Sequence, residues 1–441
     1  MESQFANRRV VITGVGVVSP LGNSPDALWT GLSTGQSGVG GIDEFPCGAD
    51  RVCYGAAARE FAGKIDDFGA LEKNQQKMIR KALKLMCRET MMGVAVAQAA
   101  LQDASLGSGD FDPERSGCVF GSDYMLTMPD DFVAGIKTCQ DGQGHFTYPR
   151  WGSEGMPQVT PLWLLRYLPN MPASHIAIYN DLRGANNSLT LREAASNAAL
   201  GEAAFTIARN HAEMMIAGAT GTRLHPMNAI HAMQQEEVAA AEVEPARASR
   251  PFDRDRTGMV LGEGAGAVVL EELRAAEARG AKIYGEVVAR ASSTVASLAG
   301  VADRRQALAN VIRELLRAAG ATPDQIGHVH AHGISTRSGD VAEAEAIAEV
   351  LGTAPDARPV TAAKSYFGNL GAGSGMVELI ASLLALSHGW LFPVLNYEHA
   401  DPACPVLAAT AARGLAPGSS FVNLSCTPQG QATGVLVRSL P

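Results

Sequence analysis

The sequence predicts an α/β fold built around two core units. Three observations carry that reading. The chain has 441 residues, which is long for a single hydrophobic core. Short apolar runs at 10–18, 117–121 and 214–219 read as buried strands, and they alternate with longer helical patterns. That alternation is the one that builds mixed sheets covered by helices. Third, residues 188–203 pass from a strand pattern into an Ala-rich helix with almost no loop between them.

Taken in order, residues 10–18 form the first strand. Gly14 and Gly16 suggest a dinucleotide loop, but the third glycine and a prompt helix do not follow, so no cofactor is expected. Residues 75–102 predict one long amphipathic helix with Met78, Ala82, Leu85 and Met86 on its buried face. Cys118, within the apolar strand 117–121, reads as core. Residues 122–160 lack periodicity and read as loops. Ser188-Leu189-Thr190-Leu191 alternates as a strand, and residues 194–209 follow as a helix. Arg192 and Glu193 therefore occupy a sharp strand-to-helix turn, which presents a side chain to a cleft at a helix N-terminus. The later strands, 326–329 and 358–363, each lead into a polar motif.

Composition excludes several classes of function. A net charge of −9 argues against nucleic acid. An acidic protein partner would need a local basic patch. The seven cysteines, at 47, 53, 87, 118, 139, 404 and 426, show no zinc spacing, so no metal site is expected, and their odd number points to a reducing cytosol. No apolar run reaches membrane-spanning length, and no signal-peptide core precedes the first strand. The expected location is cytoplasmic.

The motifs add a resemblance. Gly184 to Ala203, ending in Gly201-Glu202-Ala203, resembles the nucleophile turn of the β-ketoacyl-acyl-carrier-protein synthases, closest to the type II branch. Ser19-Pro20-Leu21-Gly22, Ser249-Arg250-Pro251-Phe252-Asp253 and Gly262-Glu263-Gly264-Ala265-Gly266 resemble the same family. The resemblance implies a thiolase-like fold of two pseudo-repeated halves, residues 1–250 and 251–441, with mixed sheets layered between helices. It places the family's active cysteine on Glu193. His332, in His330-Ala331-His332-Gly333-Ile334-Ser335-Thr336, falls on the first catalytic histidine, and His330 reads as structural. Asn369, in Lys364-Ser365-Tyr366-Phe367-Gly368-Asn369, replaces the second. Lys364 matches a structural lysine whose acidic partner would be Glu343. Thr336 and Ile334 fall on two threonines that bind the pantetheine arm. Thr427 falls on the gating phenylalanine, in a loop that Pro428 should redirect. Cys426 is a candidate displaced nucleophile, though a buried small residue is the simpler reading.

The resemblance implies, as partners, an acyl carrier protein with a phosphopantetheine-linked acyl group and either a second copy of the chain or an active ketosynthase, with dimer contacts in residues 115–215. Two functions remain. In one, the chain performs non-condensing acid/base or decarboxylation chemistry with Glu193, His332 and Asn369. In the other it is a silent, chain-length-factor-like subunit. Retention of His332 and of Gly339-Asp340 leans towards the enzyme.

Overall fold

Every residue of strand β1 (Val10–Val18) is buried, as expected for an apolar run covered on both faces. The computed structural model describes residues 5, 8–42, 53–107, 109–353 and 357–440. Ten further strands join β1 in one mixed sheet. They are β2 (Ser116–Ser122), β3 (Asn186–Thr190), β4 (Met214–Thr222), β5 (Glu263–Glu272), β6 (Gly285–Thr294), β7 (His328–His330), β8 (Pro359–Thr361), β9 (Leu407–Ala408), β10 (Ser420–Cys426) and β11 (Gln431–Arg438). Their order across the sheet is β9-β8-β7-β10-β11-β6-β1-β5-β4-β2-β3.

The order contains a repeat. Strands β1 to β5 correspond, in chain order, to β6, β7, β8, β10 and β11. β1 lies antiparallel to β5, β5 antiparallel to β4, β4 parallel to β2, and β2 parallel to β3. The second set repeats each neighbour and each direction: β6–β11, β11–β10, β10–β7 and β7–β8. β1 and β6 pair at the seam. The two pseudo-repeated halves are therefore explicit in the strand pairing. Counted by strand equivalence, the second repeat begins at β6. The expected division at 250/251 falls too early, because β5 pairs with β1 and β4 in the first half.

The helices repeat as well. In the first half, α1 (Lys73–Ala82) and α2 (Arg88–Asp103) precede β2, α3 (Met171–Asn180) precedes β3, α4 (Ala195–Ala208) precedes β4, and α5 (Pro226–Gln235) follows it. In the second, α6 (Arg304–Ala318) and α7 (Arg337–Leu351) flank β7, and α8 (Ser374–His388) follows β8. α4 and α8 pack against each other and against strands of both halves, so they form the central layer. α2 covers the first half from outside, and α6 covers the second. Gly14 and Gly16 are required by that outer packing. A Cβ on either would fall 2.2 Å from the Ala100 carbonyl oxygen or 2.1 Å from that of Val96, both in α2.

Two local expectations change. The helix expected over 75–102 is two helices. Leu83–Leu85 tighten to a 3-10 turn, and Met86 and Cys87 are extended, so the register breaks before Arg88. Met78 is consequently exposed, and Ile79 is the buried contact of α1. The segment 122–160 contains a helix, Asp130–Thr138. The strand 117–121 is paired on both sides within the sheet, so it offers no edge to a second chain. β3 is one edge of the sheet, opposite β9, and its residues are exposed or half-buried and mostly polar. Cys47 lies outside the described residues. No helix among the described residues is long and apolar enough to cross a membrane.

Candidate active site at two facing helix turns

The repeat brings two turns face to face. One precedes α4 and carries Glu193; its counterpart precedes α8 and carries Asn369. The first turn leaves β3 through Arg192, which adopts φ +55°. That left-handed conformation is uncommon outside glycine and costs on the order of 1 kcal/mol or more. It rotates the chain so that Glu193 enters the protein rather than solvent. The second turn uses Gly368 and Gly371, at φ +66° and +62°, and backbone bonds to Val260 and Gly262 fix Asn369 between them.

Glu193 is 1% exposed. Its Oε1 accepts from Arg223 Nη2 at 2.6 Å and from Asn369 Nδ2 at 3.1 Å. Arg192 Nε lies 3.6 Å from Oε2. Arg223 is fully buried and also approaches Asp123, 3.2 Å from Nη2 to Oδ1. The Ala372 N–H donates to the other Asp123 oxygen at 3.0 Å. Two buried carboxylates thus share one guanidinium. Burial pushes the Glu193 carboxyl up, but the Arg223 and Arg192 guanidiniums outweigh it and hold it well below the usual carboxylate range. Burial dominates at Asp123, and the Glu193 charge adds to it, so its carboxyl is raised despite Arg223. Glu193 is the fixed anion of the pair.

Asn369 is committed in both directions. Its Oδ1 accepts from the Gly371 N–H at 3.0 Å and the Ser374 hydroxyl at 3.2 Å. Its amide N–H group therefore points to Glu193, a carboxylate-directed donor that carries no charge.

His332 follows β7. Glu343 holds its loop by accepting from the backbone N–H groups of His332 and Gly333, at 2.6 and 2.7 Å. The partner of Lys364 is Glu378 of α8, not Glu343. Glu343 is engaged by the backbone, whereas Lys364 lies beneath the loop and donates to the His332 carbonyl at 2.7 Å. Lys364 Nζ also sits 3.2 Å from His332 Nδ1. An ammonium donating there leaves the imidazole proton on Nε2. Burial and the Lys364 charge lower the His332 pKa far below its ordinary value, so the ring is neutral. His330 is structural: it contacts the Ser382 hydroxyl and accepts from the Ala363 N–H.

The remaining candidates are less available. Thr336 caps α7, its hydroxyl oxygen accepting from the Gly339 N–H at 3.2 Å. Ile334 packs with Leu224, Met259 and Leu261. Thr427 opens the turn between β10 and β11. Its N–H donates to the Gln431 carbonyl, and its carbonyl accepts from Gly430. The loop that Pro428 was expected to redirect is thus a tight hairpin. Its Gln429 joins Gln235 and Arg192 in a polar cluster above Glu193. Cys426 is 4% exposed, and burial pushes its thiol up to about 12. A thiol held that far from ionisation is a poor nucleophile. We expect native alkylation at pH 8 to modify half-buried Cys53 and spare Cys426 until the chain unfolds. Rapid native labelling of Cys426, read by peptide mass, would restore it as a nucleophile. Of the described residues, Asp253, Asp255 and His399 come close enough to suggest a metal. The Asp253 carboxylate, however, already accepts from the N–H groups of Asp255, Glu398 and His399.

Sequence reasoning missed Asp123 and Arg223. Both stand immediately after buried parallel strands, β2 and β4. Ligand sites of α/β sheets gather at such carboxyl ends, so a charge closing an apolar strand was the available signal.

Residues 7–276 match the beta-ketoacyl synthase N-terminal domain, and residues 284–398 match the C-terminal domain. The chain is 33% identical over 404 residues to a 3-oxoacyl-[acyl-carrier-protein] synthase 2 of Synechocystis, covering 91% of each chain. Among solved structures it is similar to a beta-ketoacyl synthase from Burkholderia phymatum, with 27% identity, a TM-score of 0.81, and 98% and 100% of the two chains covered. It is also similar to the ishigamide ketosynthase/chain length factor, with 25% identity, a TM-score of 0.81, and 99% and 100% covered. With its thiolase-like fold and both domains matched, the chain belongs to the β-ketoacyl synthase family.

Proposed function

We propose that this chain is a non-condensing, chain-length-factor-like subunit. It pairs with a cysteine-bearing ketosynthase and serves acyl-carrier-protein-dependent fatty acid or polyketide assembly. The observation that carries this reading is the state of Glu193, which stands where the family's cysteine falls by resemblance. A carboxylate gives no thioester. This one is also held ionised by Arg223 and hydrogen-bonded by Asn369. A general base works best with a pKa near the operating pH, and Glu193 is far below it. An anion at this point also repels malonyl groups, which disfavours decarboxylation. One observation favours the acid/base alternative: His332 is neutral, and no described group accepts from its Nε2, so it can still donate to an enolate oxygen.

Two surfaces support the partners. Strand β3 leaves one edge unpaired, suited to antiparallel pairing with a second chain of the same fold. α1 and the turn after it carry Lys73, Lys77, Arg80, Lys81 and Lys84 with no acidic residue between them. All five are exposed, and no described acid forms an ion pair with them. Such a patch, on a chain whose net charge is −9, supports docking of an acidic carrier protein.

The test is co-expression with the type II ketosynthase of the same organism that retains the active cysteine. The two should co-purify as a one-to-one complex, and products should change when this chain is omitted. A stable homodimer that ignores the ketosynthase would contradict the proposal. Charge reversal at Lys77, Arg80 and Lys81 should weaken carrier-protein binding in a salt-dependent way, measured by calorimetry at two ionic strengths. Unchanged binding would move the docking surface elsewhere.

A further inference from the structure

The end of β4 separates two compartments. Arg223 points into the buried network with Glu193. Thr222 and Leu224, on either side of it in sequence, line a cavity of about 620 Å³. Leu83, Met86, Met128, Tyr167 and Pro226 complete its apolar walls. None of Glu193, His332 or Asn369 belongs to it.

The first turn of α2 places Glu89 in this wall. Glu89 is 4% exposed and forms no ion pair with any described residue. The neighbouring cation, Arg88, is bound to Glu263 at 2.6 Å. The charges that act on Glu89 through space, Glu263 and Asp123, have its own sign. Burial therefore pushes its carboxyl up to about 7, where it both donates and accepts hydrogen bonds. His225, at the N-terminus of α5, lines the same cavity. Its Nδ1 accepts from the Met227 N–H at 3.2 Å, which leaves the ring proton on Nε2. Burial lowers its pKa, partly offset by the Leu126 carbonyl, so the ring is neutral. Its Nε2 makes no hydrogen bond within normal geometry.

A carboxyl with no counter-charge, bonded only by the Cys87 thiol and its own backbone N–H, on the wall of a largely apolar cavity of ligand size is an unusual use of a buried acid. We propose that this cavity binds a neutral amphipathic molecule, an apolar chain or ring bearing a hydroxyl or carbonyl group, with Glu89 as its hydrogen-bonding anchor. A carboxylate or phosphate head brought to Glu89 would lie beside a like charge, with Arg88 already bound to Glu263 and the remaining cations of the lining, Lys84 and Arg166, more exposed than Glu89. An ammonium head would have to pass Lys84 and Arg166, which also line the cavity. A neutral head avoids both penalties.

The experiment uses a neutral fluorophore, N-phenyl-1-naphthylamine, on the whole purified chain, displaced by 1-decanol, decanoate or decylamine. The probe should bind saturably, and decanol should displace it at a concentration about tenfold lower than either charged analogue, because each of those must bring a charge into the cavity. Leu224→Trp should fill the cavity and abolish binding. Met128→Trp, at the half-buried wall, gives the same readout if the first variant does not fold. Glu89→Leu should keep probe binding and erase the preference for decanol over a plain alkane. The proposal fails if wild type shows no saturable binding. It fails equally if whichever tryptophan variants fold bind as wild type, or if Glu89→Leu still prefers decanol. None of these outcomes depends on whether Glu193 is catalytically silent.

Discussion

Arg223→Leu should destabilise the protein by about 3–5 kcal/mol, the cost of leaving buried charge without its partner. The leucine removes the fully buried cation that Glu193 and Asp123 share and leaves two acids facing each other in the core. The pH dependence gives the loss a signature. In wild type, Glu193 has a depressed folded-state pKa. Its contribution is fully present above the ordinary glutamate range and is lost only as pH falls through the folded value. Asp123 is raised, so it has the opposite sign: ionising it opposes folding, and acidification relieves that strain. Without Arg223 both carboxyls should be raised, and the variant should gain stability as pH falls from 7 towards 5. Urea midpoints at those two pH values provide the check. A variant as stable as wild type at pH 7 would show that the guanidinium does not carry the network. Adding Glu193→Gln and Asp123→Asn to Arg223→Leu should recover part of the loss, because the remaining amides need hydrogen bonds but no counter-charge.

Glu193→Cys should not turn the chain into a condensing enzyme, and elongation of acyl carrier protein substrates should stay at background. A cysteine at the turn would supply only the nucleophile. Arg223 and Asp123 would still occupy the buried space beside it, and Arg223 would lack the partner it now has at 2.6 Å. Asn369 would still stand where the resemblance places the second histidine, without a charge to offer an enolate. The hairpin at Thr427–Gly430, closed by three bonds between Thr427, Gly430 and Gln431, would still replace the gating loop. Carrier-arm mass after incubation with acyl- and malonyl-carrier protein reads the outcome. Efficient elongation by the single variant would mean that the surrounding network is no obstacle to condensation.

Much of this site was legible in the sequence, because its framework is local. The turn at Arg192 and Glu193 follows from a strand pattern running into a helix pattern, and Asn369 and His332 stand inside contiguous motifs. The parts that were not legible depend on contacts across the fold. Arg223 reaches Glu193 across 30 positions, and Asp123 reaches the Ala372 N–H across 249. Lys364 was assigned to Glu343 by resemblance. Its actual partner, Glu378, is the one acidic residue of its helix, and a buried acid there had to be matched to something. The long helix expected at 75–102 failed for a different reason. Its apolar spacing continues through residues 83–87, while the backbone leaves helical geometry there to turn α2 onto the sheet.

Carbon dioxide release and carrier-arm mass should be measured with malonyl-acyl carrier protein for the purified wild type beside Glu193→Gln. If Glu193 is a locked anion in a silent subunit, wild type releases no carbon dioxide above the carrier protein alone and leaves the arm unchanged. Wild-type turnover that falls about 10²–10⁴-fold in Glu193→Gln, the range of a lost acid/base group, would contradict that account and make Glu193 a working proton-transfer residue.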